Sequence, residues 1–251
     1  MTWQPLAPAR DQIYGHRARI GYTSPPLMTE VFPYEFYRIV PEGVTLVLTT
    51  LGIVERNRAQ VDQAYEFSMR AAREMAVAGV DIVVLGGVPI NLSRGYDNAQ
   101  AMIHALEAEL EVKVSTSLSA QERAARTLGC RKVVIAQPYD ATQNARQSGY
   151  AEQFGCEVLG ATGWGSTIPR FGCIPRDAAL AMGRALIRQY PQADSILFPS
   201  PHWPTIEAIE PLERELGVNV MTALQAAVWD ALRRVGVDDR IEGCGRLFRE
   251  F

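Results

Sequence analysis

Short apolar runs alternate with longer amphipathic stretches along the chain. The run Ile82–Leu85 is continuously apolar, which is typical of strands in a parallel sheet that is buried on both faces. The stretch 59–78 instead places its apolar residues at helical spacing. The pattern predicts an α/β fold. Its predicted strands are 18–23, 44–48, 81–85, 112–115, 132–136, 157–161, 195–198 and 219–221, and its predicted helices are 59–78, 98–110, 120–128, 141–153, 176–189, 205–216 and 223–235.

Two of the predicted strands end in the same way. The strand at 81–85 runs into Gly86-Gly87, and the strand at 195–198 runs into Pro199-Ser200. Equivalent endings in the two halves of a chain indicate a duplicated α/β unit with a site between the halves. The sequence therefore predicts two pseudo-symmetric Rossmann-like lobes, each a mainly parallel sheet flanked by helices, with the site in the cleft between them.

The predicted lobes divide the chain as follows. We expect an N-terminal arm at 1–17, a first lobe formed by 18–115 and 222–251, and a second lobe at 116–221. Ligands of such sheets bind at the carboxyl ends of the strands. The cleft is therefore expected to be lined by 24–26, 86–89, 137–139 and 199–202.

Composition excludes several functional classes. Charged residues make up 21% of the 251 residues and the net charge is −3, so no basic surface favours nucleic acid. The apolar runs are too short to span a bilayer. The first residues lack the basic start and apolar block of a signal peptide. We therefore expect a cytoplasmic protein that has neither nucleic-acid nor membrane partners.

The four cysteines contain no Cys-x-x-Cys pair, and the chain has three histidines. A structural zinc site is therefore not expected, nor any other metal site. Cys130 and Cys156 adjoin predicted strands and are expected to be buried thiols. Cys173 lies in the loop at 162–175, where it is either a reactive thiol or a bystander.

Several motifs occur in a fixed order along the chain. They are Ile20-Gly21 with Ser24-Pro25-Pro26, Leu85-Gly86-Gly87 with Ser93-Arg94-Gly95, Arg131-Lys132-Val133 with Gln137-Pro138-Tyr139, Thr205-Ile206-Glu207-Ala208-Ile209 with Leu216-Gly217-Val218, and Trp229-Asp230-Ala231. Together they resemble the aspartate/glutamate racemase superfamily, and within it the arylmalonate decarboxylase and maleate isomerase branch. The paired prolines resemble the decarboxylase side of that branch.

The resemblance implies chemistry without a cofactor, through a carbanion or enediolate beside a carboxylate. Racemases of the superfamily have a cysteine at each of two strand ends, whereas the decarboxylase has glycine at the first and cysteine at the second. Carried over to this chain, the first position is Gly87 and the second is Ser200. The first position therefore matches the decarboxylase pattern and the second departs from it.

Serine at the second position changes the chemistry that is available there. A thiol, with a pKa of about 8.5, can both give and take a proton, whereas a serine hydroxyl needs an adjacent base. His202 lies two residues beyond Ser200, and alternate residues of an extended segment point the same way. We predict Ser200 and His202 as the catalytic residues; the alternative is that His202 only lines the pocket. Trp203 is expected to form an apolar wall.

The anion pocket departs from the family pattern as well. The resemblance implies hydroxyl and backbone donors just after the first position, but Val88 and Pro89 stand there, and proline has no N–H. Thr116, Ser117 and Ser119 are candidate replacement hydroxyls from the neighbouring strand end. The predicted substrate-binding residues are Pro25, Gly87, Val88, Ser117 and Tyr139.

The sequence therefore predicts a cofactor-independent lyase or isomerase that acts on a small carboxylate through an enediolate, as a decarboxylase of the arylmalonate decarboxylase type. One alternative is maleate-isomerase-like or racemase activity in small-molecule catabolism. Another is a member without catalytic activity, which binds a small ligand and has lost the family's cysteines. The resemblance also leaves a homo-oligomer open.

Overall fold

This computed structural model describes residues 9–55, 57–87, 90, 96–140 and 149–251, with the backbone alone for 96–99. It contains two four-stranded sheets, ordered β2-β1-β3-β4 and β6-β5-β7-β8, and every strand pair in them is parallel. The predicted pair of parallel α/β lobes is confirmed. The strands are β1 Ala18–Pro26, β2 Val44–Ile53, β3 Ile82–Leu85, β4 Lys113–Thr116, β5 Lys132–Gln137, β6 Glu157–Gly163, β7 Ser195–Phe198 and β8 Asn219–Thr222.

Helices connect the strands in both halves. Of the predicted helix 141–153, residues 149–153 are helical and 141–148 lie outside the described residues. Short 3-10 segments occur at Arg10–Gln12 and Ile168–Cys173. The helices are α1 Val31–Ile39, α2 Arg58–Val77, α3 Tyr96–Leu110, α4 Ser117–Leu128, α5 Ala178–Gln189, α6 Ile206–Leu216, α7 Ala223–Arg234 and α8 Arg246–Glu250.

Two equivalent turns connect the last strand of each sheet to a helix. At the start of α4, the Thr116 side chain accepts a hydrogen bond from the Ser119 backbone N–H at 3.0 Å. At the start of α7, Thr222 accepts one from the Gln225 N–H at 3.1 Å. Both are capping boxes, which satisfy N–H groups that the first helical turn leaves without partners. The same local chemistry therefore supports the duplication of the fold.

An ion pair between a buried aspartate and a partly exposed arginine connects these two helices. Asp230 on α7 is 2% exposed and accepts hydrogen bonds from Ser115 Oγ at 2.6 Å and from Arg123 Nε on α4 at 2.5 Å. A buried carboxylate needs such partners because its desolvation is costly. The predicted boundaries put Ser115 and Asp230 in the first lobe and Arg123 in the second, so this cluster would link the lobes. The boundaries themselves stay a prediction.

No helix in the part of the chain that the structure describes is both long enough and apolar enough to cross a membrane.

Candidate functional site

A cavity of about 50 Å³ lies at the carboxyl ends of β1, β3, β5 and β7. Backbone turns, hydroxyls and apolar side chains from both halves of the chain surround it. Its lining residues are Pro25, Pro26, Ile53, Val61, Gly87, Ile90, Ser117, Gln121, Tyr139, Ile168, Phe171, Pro199, Ser200, Pro201 and His202. This is the edge of the sheets at which a ligand of parallel strands is expected.

The structure brings the described members of the predicted site together. Gly87 is the second residue after β3 and Ser200 the second after β7, and both line this one cavity. Val88 lies outside the described residues. The other predicted site residues that line the cavity are Pro25, Ser117, Tyr139 and His202. Their placement agrees with the predicted site, while their roles in binding and catalysis stay predictions.

Gly87 has a backbone conformation and a neighbour that both favour glycine. Its φ of +88° lies in the region that residues with a side chain rarely adopt. A Cβ at this position would lie 2.6 Å from Pro25 Cγ and 3.1 Å from Ile90 Cδ1. A cysteine at the first strand end would therefore require the Pro25 turn to move.

Replacing Gly87 by alanine is expected to lower the free energy of unfolding by about 1–3 kcal/mol, because the new Cβ adds both strain in φ and contact with Pro25. Gly149→Ala is the control, since a Cβ there meets no atom of the described residues within 4 Å outside its own helix backbone and chain neighbours. Urea denaturation of both variants measures the difference. Equal stability of the two variants would contradict a steric need for glycine at Gly87.

Ser200 and His202 lie in the turn after β7, and both are buried. The Ser200 hydroxyl makes no hydrogen bond with any residue that the structure describes, His202 included. His202 Nδ1 lies 3.3 Å from Thr29 Oγ1, and the ring lies 6.1 Å from that of Phe32, centroid to centroid. The imidazole is therefore oriented by residues that follow β1, and no direct Ser200–His202 hydrogen bond is formed in this state.

Two further lining residues carry hydroxyls. Tyr139 follows β5, and its ring packs edge-on against Phe171 at 5.0 Å between centroids. Ser117 is the first residue of α4 and is buried. Of the three hydroxyls considered at this strand end, Thr116 and Ser119 bond each other in the capping box and do not line the cavity. Only Ser117 of these three contributes to the site.

The rest of the lining is largely apolar. These side chains come from the end of β2, from α2, from the segment after β3 and from the segment at 168–173, and the sequence patterns did not point to them: Ile53, Val61, Ile90, Ile168 and Phe171. Trp203 is a correction to the prediction, because it is fully buried against Phe198 and does not line the cavity.

Gln121 is a lining residue that a helical-spacing argument could have found. It lies four residues after Ser117 on α4, on the same helix face, and its Nε2 donates to the Ser117 carbonyl at 2.9 Å. Its side chain is 2% exposed, so the amide is fixed at the edge of the cavity. This hydrogen bond holds the Gln121 amide against the first turn of α4, beside Ser117.

Glu35 supports the site from α1. Its carboxylate accepts hydrogen bonds from the backbone N–H groups of Thr205 at 2.8 Å and Ile206 at 3.0 Å, at the start of α6. Burial raises the pKa of Glu35 to about 7, and the two N–H groups only partly offset this. Since Ser200 and His202 lie between β7 and α6, Glu35 fixes the far end of the turn that carries them.

The thiols lie away from the cavity. Cys130 and Cys156 are buried as predicted, and they lie two residues before β5 and one residue before β6, at the opposite strand ends from the site. Burial raises the pKa of Cys130 to about 12 and that of Cys244 to about 11, so both remain protonated thiols at neutral pH. Cys173 is exposed and does not line the cavity.

Among the described residues there is no cluster of three or more His, Cys, Asp or Glu side chains that could hold a metal ion.

Comparisons with known proteins agree with this architecture. A family model described as arylmalonate decarboxylase matches residues 20–248. Arylmalonate decarboxylase of Bordetella bronchiseptica is 28% identical over 237 residues, which cover 92% of this chain and 96% of the relative. Maleate isomerase of Nocardia farcinica (strain IFM 10152) is 25% identical over 142 residues, 55% of each chain.

Solved structures show the same fold. A liganded arylmalonate decarboxylase variant, with one glycine replaced by cysteine and one cysteine by serine, has a TM-score of 0.84 at 26% identity and covers 93% of this chain and 100% of that one. Maleate isomerase of Pseudomonas putida S16 with maleate has a TM-score of 0.82 at 19% identity, covering 92% and 97%, and supports the fold alone. The chain belongs to the arylmalonate decarboxylase family of enzymes, in the branch that it shares with the maleate isomerases.

Proposed function

We propose that this enzyme decarboxylates a small malonate-type acid with an apolar substituent, without a cofactor. The observation that carries the proposal is that Gly87 and Ser200, at equivalent strand ends, line one cavity together with the hydroxyl residues Ser117 and Tyr139. The apolar part of the lining suits an aryl or alkyl group. The name of a relative that matches over 92% of this chain, arylmalonate decarboxylase, supports the same substrate class.

In the proposed reaction one substrate carboxylate is held near Gly87, with Ser117 and Tyr139 as hydrogen-bond donors. Val88 is a further predicted contact of this carboxylate. The bond between the α-carbon and the second carboxylate breaks, CO2 leaves, and the electron pair is delocalised into the retained carboxylate as an enediolate. Donors aimed at this developing charge stabilise the transition state by roughly 3 kcal/mol each.

Protonation of the α-carbon completes the reaction. The proton comes from the His202 imidazole, either directly or through the Ser200 hydroxyl, and the product is a monocarboxylate. An imidazole can both donate and accept a proton, so it can give this proton and recover one from solvent. Thr29, at 3.3 Å from Nδ1, orients the ring for this transfer.

The one-sided arrangement favours decarboxylation over racemisation. A racemase must move protons on both faces of the α-carbon, but Gly87 offers no side chain on its face, and a Cβ there would meet Pro25 Cγ at 2.6 Å. Decarboxylation needs a single proton donor, which the Ser200 side of the cavity can supply.

The experiment is a substrate panel that contains aryl- and alkylmalonates, maleate and amino acids, followed by CO2 detection and by ¹H NMR in D2O. We expect CO2 release from an arylmalonate and one deuterium at the α-carbon of the product. Deuterium exchange without CO2, or conversion of maleate to fumarate, would contradict the proposal and indicate a racemase or isomerase. Binding of these acids without any turnover would contradict it in favour of a ligand-binding role.

A further inference from the structure

Tyr22, on β1, is a buried tyrosine that the proposed reaction does not use. Its ring stacks on Phe32 with centroids 3.8 Å apart, and the residue is 1% exposed. Its hydroxyl reaches the end of β3, because a Cβ built at Gly86 would lie 2.9 Å from it. Leu85 of β3 pairs with Thr116 of β4, so the next residues, Gly86 and Ser117, lie side by side at this edge of the sheet. The Tyr22 hydroxyl therefore lies at the strand end from which Ser117 enters the cavity lining.

The Tyr22 hydroxyl forms no hydrogen bond of regular geometry with any described residue. The neighbouring Thr23 shows the contrast, since its hydroxyl accepts from the Gly86 N–H at 3.0 Å and pairs with Ser68 at 3.1 Å. Buried polar side-chain atoms in native proteins nearly always have a partner. A buried phenol without one, beside the cavity, indicates that its hydrogen-bond network is incomplete until a ligand is bound.

Other buried polar atoms at the same strand ends also lack a hydrogen-bond partner among the described residues. Ser24 Oγ ends β1 directly before Pro25, the Gln137 amide ends β5 two residues before Tyr139, and Ser200 Oγ follows β7. Unsatisfied groups of this kind cost about 1–3 kcal/mol each, so their concentration at one edge indicates a site built for a polar ligand.

We propose that Tyr22 is a positioning residue for the substrate carboxylate: its phenol donates a hydrogen bond to the Ser117 hydroxyl, which in turn donates to the carboxylate. The proposal rests on the proposed function in that it takes the ligand to be a carboxylate. A phenol has one hydrogen to donate, and a serine hydroxyl can accept one hydrogen bond while donating another. Chained hydrogen bonds of this kind polarise and strengthen one another.

The charge of the cavity favours such a chain. No arginine or lysine is found among the described lining residues, and the proposed carboxylate donors Ser117 and Tyr139 are neutral. Burial raises the pKa of the Tyr22 phenol well above its usual value, and the Ser117 hydroxyl offsets only part of this. The phenol therefore keeps its proton across the neutral pH range and remains a donor.

The test is a binding cycle by calorimetry with two probes, phenylacetate and its neutral counterpart phenylacetamide. In Tyr22→Phe, which retains the stack on Phe32, the Kd for phenylacetate is expected to rise about tenfold and that for phenylacetamide to stay unchanged. In a Ser117→Ala background the same substitution should raise the Kd for phenylacetate little further, because the series of hydrogen bonds from Tyr22 to the carboxylate is already interrupted. Tyr37→Phe, whose hydroxyl accepts from the surface Leu46 N–H at 3.2 Å, is the matched control.

Four results would overturn the inference. Three concern the probes: an unchanged Kd for phenylacetate in Tyr22→Phe, an equal loss for both probes, or a wild-type enzyme that does not prefer the acid to the amide. The fourth is a full additional loss in the Ser117→Ala background, which would exclude Ser117 as the intermediary. CO2 release from phenylmalonate, measured in parallel, tests the proposed function separately, because the binding cycle requires no turnover.

Discussion

Replacing His202 by alanine is expected to lower kcat for CO2 release from an arylmalonate by about 10²- to 10⁴-fold, the usual effect of removing a general acid. The Kd for the product carboxylate should change little, since the proposed carboxylate donors Ser117 and Tyr139 are intact. Stopped-flow or coupled detection of CO2, with calorimetry of product binding, measures both quantities. Ser200→Ala should reduce kcat as well if the proton passes through the Ser200 hydroxyl.

His104→Ala is the control for this variant, because His104 is an exposed histidine on α3 that does not line the cavity. It should leave kcat unchanged. Retention of full turnover by both His202→Ala and Ser200→Ala would mean that the proton comes from another group, and the catalytic assignment would have to be abandoned. Loss of product binding along with kcat would indicate that His202 shapes the pocket instead.

Replacing Glu35 by glutamine is expected to raise the free energy of unfolding at pH 8 by up to about 3 kcal/mol. In the wild type, burial raises the pKa of Glu35 from 4.5 to about 7, so the ionised carboxylate destabilises the folded state at pH 8. The glutamine amide can still accept from the Thr205 and Ile206 N–H groups. In the wild type, the unfolded chain loses this proton near pH 4.5 and the folded chain near pH 7. The contribution of Glu35 to the free energy of unfolding is therefore largest below pH 4.5, and it decreases as the pH rises from 4.5 to about 7.

Urea denaturation at pH 4.5 and pH 8 measures this effect. The stability difference between Glu35→Gln and the wild type should be small at the lower pH and largest at the higher. Glu42→Gln, at an exposed position, is the control and should show no such change. Parallel pH dependence of Glu35→Gln and the wild type would show that Glu35 is not a buried acid with a raised pKa.

The parts of the fold that depend on local patterns could be predicted from the sequence. The continuous apolar runs that became β3 and β7 end at Gly86 and Pro199, and this placed Gly87 and Ser200 at equivalent positions before any contact was known. Helix α4 starts at Ser117, three residues before the predicted start, because Thr116 caps it. Strand β1 extends beyond its predicted end because it continues to pair with β2 as far as Pro26 and Ile53.

The parts that depend on distant partners could not be predicted. Helix α1 has a proline in its first turn and aromatic residues on both sides, and it forms because it buries Phe32, Phe36 and Ile39 against the core. Glu35 on this helix resembles a surface residue in the sequence, and its partner Thr205 is 170 positions away. Tyr22 resembles an ordinary core aromatic until the position of its hydroxyl beside Gly86 is known.

The central claim is that the α-carbon is protonated without a thiol. Cys173 is the one exposed cysteine of the four, and replacing it by serine removes the thiol with the readiest access to solvent. The direct test is ¹H NMR and CO2 detection during turnover of phenylmalonate in D2O by the wild type and by Cys173→Ser. The account predicts equal rates and one deuterium at the α-carbon of the product from both. Loss of turnover in Cys173→Ser would contradict it.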